Sequence, residues 1–130
     1  MLIVLDRHSG QPVFRQIVEQ VRFQVASGLL RPGDELPSTR QLAVDLDLNP
    51  MTVSRAYGLL EHEGTVERRP GLGFVVKKRR ADEERVRRRA ELTRMVRRAA
   101  SAARQLGLDV DEALDVFKKA LEERGGRDEK

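Results

Sequence analysis

The chain has 130 residues, 35% of them charged, a formal charge of +4 and no cysteine, so disulfide frameworks, thiolate metal sites and thiol nucleophiles are excluded. That length suits one compact domain, or a small domain with an appended segment, and leaves no room for a large catalytic domain. No apolar run approaches the roughly 20 residues that span a bilayer, and MLIVLDRHSG lacks the features of a signal peptide, so a cytoplasmic protein without membrane attachment is expected.

Residues 1–11 read as an N-terminal arm. Pro12 then opens a pattern in which Phe14, Ile17, Val18, Val21 and Val25 share a helical face, and Gly28 is placed to end that helix in the left-handed conformation. In LLRPGDELPS, Pro32-Gly33 makes a turn and Glu35-Leu36 form at most a very short strand. Ser38 starts a second helix, with Gln41 three residues on to complete a capping box, and Leu42, Ala43 and Leu46 on the inner side. After the short link DLDLN, Asn49 caps a third helix and Pro50 takes its first position, where a missing N–H costs nothing. Val53, Ala56, Tyr57 and Leu60 line its inner face, while Met51, Thr52, Ser54, Arg55, Gly58 and His62 fall elsewhere. That outer face is small, polar and lightly basic, where a plain solvated helix would carry long Glu and Lys pairs. It suits the close approach of a partner.

Two short helices joined by a tight turn match the helix-turn-helix arrangement. TVERRPGLGFVV adds two strands, with Val66 in the first, Phe74 to Val76 in the second and Pro70-Gly71-Leu72-Gly73 between them, so residues 12–77 read as a winged helix-turn-helix. From Asp82 to about Leu106 an apolar stripe of Val86, Ala90, Leu92, Met95, Val96, Ala99, Ala103 and Leu106 predicts a long helix closed by Gly107. Asp109 with Glu112 forms a second capping box, and Val110, Ala113, Leu114, Phe117 and Leu121 line a last helix. Two such helices cannot cover each other's stripes completely, so a second copy of the chain is the expected cover, with 78–125 as a dimerisation tail and 126–130 disordered. The expected fold is mostly α with a small β-hairpin: a winged helix followed by a two-helix tail.

Charge is unevenly placed. Met1 to Val76 carry 8 arginines against 9 acidic residues, whereas 77–98 carry 11 basic residues against 4 acidic ones. A nucleic-acid reading therefore cannot rest on net charge and needs geometry. Helix N-termini supply it: the free N–H groups and partial positive charge at Ser38 and Asn49 hold phosphate oxygens without a basic surface. Taken alone, those two residues read more simply as caps. Within the basic run, Glu83 to Arg87 and Glu84 to Arg88 are helical i,i+4 pairs, and Lys77 to Arg80, beside the wing, are the better candidates for phosphate contact. His8 and His62 show no ligand spacing, and GLG lacks the third glycine and the strand-to-helix setting of a nucleotide loop. No metal or cofactor is expected.

The stretch from Pro12 to Val76 resembles the winged-helix DNA-binding domain of the GntR family of bacterial transcription regulators. SGLLRPGDELPSTRQLA, LNPMTVSRAYGLLE and RPGLGFVV carry the likeness, and NPMTVSRAY with a short helical tail in place of a large effector domain is similar to the YtrA-type subfamily. The resemblance implies a homodimeric repressor, often of a transporter operon, that dimerises through its tail. Two-fold symmetry then implies a palindromic operator in double-stranded DNA.

By the same likeness Arg40 contacts DNA, Thr52 lies on the recognition helix and Gly71 at the wing tip. The chain departs from the commoner pattern at Pro50 and Ser54, where arginines usually stand, and Arg55 becomes the base-reading candidate. Ser38, Thr39 and Asn49 are then positioning contacts, Arg40 and Arg55 reach guanine N7/O6, and Met51, Thr52 and Ser54 share the groove-facing surface. Arg68, Arg69, Gly71 and Gly73 approach the minor groove or backbone. Leu92, Met95, Val96, Ala99, Ala103, Leu106, Val110, Leu114, Phe117 and Leu121 form the dimer face. The chain is too short for the aminotransferase-like domain of some GntR-type regulators, and nothing in it assembles a catalytic constellation. The competing function is a protein–protein interaction module using the same helix face and tail. No effector is identified by the sequence.

Overall fold

A computed structural model describes residues 1–128, with side chains through Glu123. The elements in chain order are α1 (Val13–Ala26), α2 (Thr39–Leu46), α3 (Pro50–His62), β1 (Val66–Arg69), β2 (Gly73–Val76), α4 (Ala81–Gln105) and α5 (Val110–Asp128). They form two compact units, Met1–Glu91 and a second beginning at Leu92. Of the end expected to be disordered, 126–130, residues 126–128 continue α5 and 129–130 lie outside the described residues.

The core of the first unit is where α1, α2 and α3 turn their apolar faces inward. Ile17, Val21, Val53, Ala56, Tyr57 and Leu60 are completely buried, joined by Phe14, Val18, Leu42 and Ala43. Full burial of such side chains is worth about 1.5–3 kcal/mol each, which makes this face the principal source of stability. Tyr57 meets two demands at once: its ring packs edge-on against Phe74 at 5.2 Å, and its hydroxyl donates to the Pro37 carbonyl at 2.7 Å. Burial raises its pKa above the usual tyrosine value.

β1 and β2 pair antiparallel from Val66 opposite Val76 to Arg69 opposite Gly73. The other edge of β2 is taken by the stretch before α2. Leu36 N–H donates to the Phe74 carbonyl, Gly33 N–H to the Val76 carbonyl and Val76 N–H to the Asp34 carbonyl, all at 2.8–2.9 Å. The short strand expected at Glu35-Leu36 is thus a single bridge, Glu35 to Val75.

The N-terminal arm is held by a ladder of glutamines that sequence patterning does not reveal. Gln16, Gln20 and Gln24 stand one turn apart along α1 and meet Asp6, Val4 and Leu2 in antiparallel order. Gln16 accepts from Asp6 N–H at 2.8 Å and donates to the Asp6 carbonyl at 2.8 Å; Gln20 does the same for Val4 at 2.9 and 2.6 Å. Gln24 donates to the Leu2 carbonyl at 2.6 Å, and its Oε1 is buried without a partner. Four helical residues rise about 6.0 Å and two extended residues about 6.6 Å, so side-chain amides at every fourth position keep step with alternate backbone groups of a strand. Ile3, between the rungs, points into the core.

A second polar junction gathers at the end of α3. The Glu63 carboxylate accepts two bonds from Arg22 of α1, at 2.8 and 2.9 Å, and one from the Thr65 hydroxyl at 3.0 Å. Arg87 of α4 donates to the Thr65 hydroxyl at 2.6 Å and to the Glu63 carbonyl at 2.9 Å, and Arg79, just before α4, donates to the Gly64 carbonyl. Glu91 adds its carboxylate 3.7 Å from Arg22. Burial pushes the Glu63 pKa up, but the hydrogen bonds and charge of Arg22, the Thr65 hydroxyl and the Arg87 charge outweigh it and leave the pKa below the ordinary value. Burial, followed by the neighbouring Arg79 charge, lowers the pKa of Arg87.

Two outcomes are expected from these contacts. Gln16→Ala leaves Asp6 N–H without its partner and the Asp6 carbonyl with only the long 3.5 Å bond from Ser9 N–H, and is expected to cost about 1–3 kcal/mol in denaturant unfolding, with faster amide exchange at Asp6; unchanged exchange there would contradict the ladder. Because the folded pKa of Glu63 is depressed, its ionised form stabilises the fold above the unfolded value and that contribution fades as pH falls through the folded one. The stability gap between the parent and Glu63→Gln should therefore be widest near neutrality and shrink below about pH 4.5.

Candidate nucleic-acid interface

Both helix starts named from sequence are capped by their own side chains. Ser38 Oγ accepts from Gln41 N–H at 3.0 Å, and Asn49 Oδ1 accepts from Met51 N–H at 2.8 Å, with Pro50 in the first helical position. The capping box at α2 is only half formed, because the Gln41 side chain donates to Asp45 at 2.8 Å rather than turning back to Ser38. At α2 the cap occupies the Gln41 N–H and leaves those of Thr39 and Arg40 for an anionic ligand, whereas at α3 Pro50 has no N–H, Met51 N–H is capped and Thr52 N–H donates to the Asn49 carbonyl at 2.9 Å, so that start offers its partial positive charge rather than free donors. Between the helices, Asp47 adopts the left-handed conformation (φ 54°, ψ 56°), and Leu48 N–H returns to the Ala43 carbonyl at 2.8 Å. This closes α2 and starts α3 two residues later.

The outer face of α3 is open. Met51 is 73% exposed, Ser54 and Arg55 are exposed, and Thr52 is half-buried. On α2, Arg40 is exposed and Thr39 half-buried. The Arg55 guanidinium lies over the Phe14 ring, 3.8 Å from its centroid. Phe14 was legible from sequence only as a core residue of α1, since helical periodicity identifies a buried face but not a cation resting on it.

At the wing, Gly71 and Gly73 both have positive φ (79° and 86°), and nothing lies within 4 Å of the point where either would carry a side chain. Arg68 stands 3.4 Å from Glu61 and 4.8 Å from the Phe74 ring centroid; Arg69 pairs with Glu67 at 3.0 Å. Exposed ion pairs of this kind hold their arginines by only about 0–1 kcal/mol, so phosphate can displace the carboxylates at little cost.

The basic run divides into two populations. Arg79 and Arg87 are turned into the junction at Glu63 and Thr65, so of Lys77 to Arg80, the better candidates for phosphate contact, Arg79 is engaged inside the fold. Glu83 lies 3.4 Å from Arg80, instead of the i,i+4 pairing with Arg87 expected from spacing, because Arg87 gains neutral acceptors at the end of α3. Lys77, Lys78 and Arg80 remain exposed.

In the second unit the long helix ends as the sequence suggested. Gly107 has φ 74°, Leu108 N–H donates to the Ala103 carbonyl at 3.0 Å, and Asp109 and Glu112 complete a reciprocal capping box at 2.9 and 3.2 Å. Leu92, Met95, Val96 and Ala99 on α4, Leu106 just past its end, and Val110, Leu114, Phe117 and Leu121 on α5 are exposed; Ala103 is half-buried. Val86 and Ala90, placed on the same stripe, lie in the first unit, where Val86 is exposed. Among the described residues, no helix is long and apolar enough to cross a membrane and no group of three acidic or histidine ligands gathers for a metal.

Comparison with known proteins places this geometry. The family model described as bacterial regulatory proteins, gntR family, matches residues 14–76. The HTH-type transcriptional repressor YtrA of Bacillus subtilis is 41% identical over 75 residues, 58% of this chain and 58% of that protein's length. The HTH-type transcriptional regulator YhcF of the same species is 34% identical over 116 residues, 88% of this chain and 93% of its own. Among solved structures, a GntR family transcriptional regulator from Listeria monocytogenes superposes with TM-score 0.73 at 25% identity, covering 88% of this chain and 98% of that one. YtrA from Sulfolobus acidocaldarius, a GntR-family transcription factor, gives 0.57 at 33% identity, covering 93% and 97%. With a winged helix over the matched residues and a relative aligned along nearly its whole length, the chain belongs to the gntR family of bacterial regulatory proteins and is similar within it to the YtrA-type regulators.

Proposed function

We propose that this regulator is a cytoplasmic, homodimeric repressor whose paired α3 helices enter successive major-groove faces of a palindromic operator. The observation that carries the reading is the outer face of α3, where Met51, Ser54 and Arg55 stand exposed beside capped helix starts while the opposite face is fully buried. Ser38, Thr39 and Asn49 orient the domain on phosphates; Arg40 and Arg55 read bases; Thr52 contributes at the groove floor; Arg68, Arg69, Gly71 and Gly73 follow the backbone or minor groove. Half-sites are then about 34–36 Å apart, or a multiple of that. Repression follows from occupying promoter DNA, and a transporter operon is the proposed target class.

The dimer is supported by the apolar surface of the second unit, where Leu114 is 61% and Phe117 42% exposed on the same helical face. Leaving that stripe in water is unfavourable, and a second copy offers a self-complementary cover.

The operator is best obtained by selecting bound fragments from a random duplex pool with the full chain. Against the selected duplex, Arg40→Ala and Arg55→Ala are each expected to weaken binding by roughly tenfold or more, with discrimination relaxed at particular base pairs. Affinity should fall steeply with salt, with a slope near −0.9 per phosphate neutralised. Duplexes that bind with no salt dependence, or not at all, would instead favour a protein-binding module. The double substitution Leu114→Asp with Phe117→Asp is expected to yield a folded monomer in sedimentation that has lost most of its affinity for the palindrome; a parent chain that sediments as a monomer at high concentration refutes the dimer.

A further inference from the structure

We infer that Phe14 is a positioning residue for base recognition: its ring holds the Arg55 guanidinium in a presented orientation before DNA arrives. The inference rests on Arg55 as a base reader, and adds the residue that makes it one. Phe14 stands on the first turn of α1, is 8% exposed, and is packed in the core of the first unit. Across from it, the Arg55 guanidinium carbon sits 3.8 Å from the ring centroid, well inside the roughly 6 Å range of a cation–π contact. Arg15 brings a second guanidinium to 5.5 Å from the same centroid, adding positive charge beside the first.

The geometry matters because the two interactions of an arginine use different parts of it. Stacking occupies the face of the planar guanidinium, whereas a guanine O6/N7 pair is met by N–H groups in its plane. The ring can therefore keep Arg55 in place without consuming the donors that read the base. An arginine on an open helix face carries rotamer freedom, part of which is lost on binding. A ring that is itself immobile in the core removes some of that loss in advance, which is the general route by which preorganisation raises affinity. α3 has no aromatic residue on its outer face to serve this purpose, so the ring comes from α1.

The test uses the full chain and the tightest duplex it enriches from a random pool, with that duplex's single-base-pair variants as a panel. Phe14→Leu is expected to lower affinity about three- to tenfold and to relax discrimination at the same base pairs that Arg55→Ala relaxes. Phe14→Tyr, which keeps the ring, restores both. In the double variant Phe14→Leu/Arg55→Ala, the loss should be no larger than for Arg55→Ala alone, and the salt slope of Phe14→Leu should match the parent because no phosphate contact changes. A Phe14→Leu protein that discriminates like the parent, while Arg55→Ala does not, overturns the positioning role alone. So does a uniform loss on every duplex that adds to that of Arg55→Ala, which marks a packing defect. Discrimination unaffected by Arg55→Ala overturns the base-reader assignment and this inference with it.

Discussion

The structure depends on the complete burial of one face of α3. Val53, Ala56, Tyr57 and Leu60 have no exposed surface, and α3 packs against α1, α2 and β1. A helix held this way cannot rotate, because turning it by one residue would bring a polar side chain into the core at a cost of several kcal/mol. Rotation being fixed, so are the positions of Met51, Ser54 and Arg55 on the other side. The surface proposed to read DNA is thus a by-product of the core, and its accuracy comes from packing rather than from contacts of its own.

Polar chemistry then fastens the elements that apolar packing alone would leave loose. At the end of α3, Glu63 and Thr65 collect Arg22, Arg79 and Arg87, so the first turns of α4 are tied to the winged helix through charge-assisted bonds. At the opposite end of the chain, glutamines on α1 fasten the N-terminal arm by imitating the hydrogen-bond pattern of a neighbouring strand. In both places backbone groups without secondary-structure partners are satisfied by long side chains. Arginine serves the first because it faces a carboxylate and carbonyls; glutamine serves the second because each rung needs a donor and an acceptor on one side chain.

This arrangement also accounts for a domain of nearly neutral charge in a family of DNA-binding regulators. Arg22, Arg79 and Arg87 are committed to internal partners, and Arg68 and Arg69 are held only by weak exposed pairs. What faces outward at α2 and α3 is a pair of capped helix starts with the exposed Arg40 and Arg55, a surface of little bulk charge. Net charge over a segment is therefore a poor guide to its partner when some of that charge is consumed inside the fold.

All five helices and the hairpin were readable in the chain, because the apolar period of 3.6, Asn49-Pro50, Asp109 with Glu112, and the glycines at 28, 71, 73 and 107 are local signals whose physics needs no third dimension. Local signals likewise placed Tyr57 inside and Met51, Ser54 and Arg55 outside. What could not be read were pairings between residues distant in sequence: Gln20 with Val4, Glu63 with Arg22, Arg87 with Thr65, Arg55 with Phe14. Spacing predicted Arg87 beside Glu83, and Gln41 turned back to Ser38, because i,i+4 and capping geometry are all that one helix offers. Tertiary packing brought better acceptors to Arg87, whereas Gln41 took Asp45, a competing partner within its own helix. Sequence decides which face of an element is buried; only the assembled fold decides which of several competing partners a long polar side chain reaches, since that choice is set by distances between elements that no periodicity encodes.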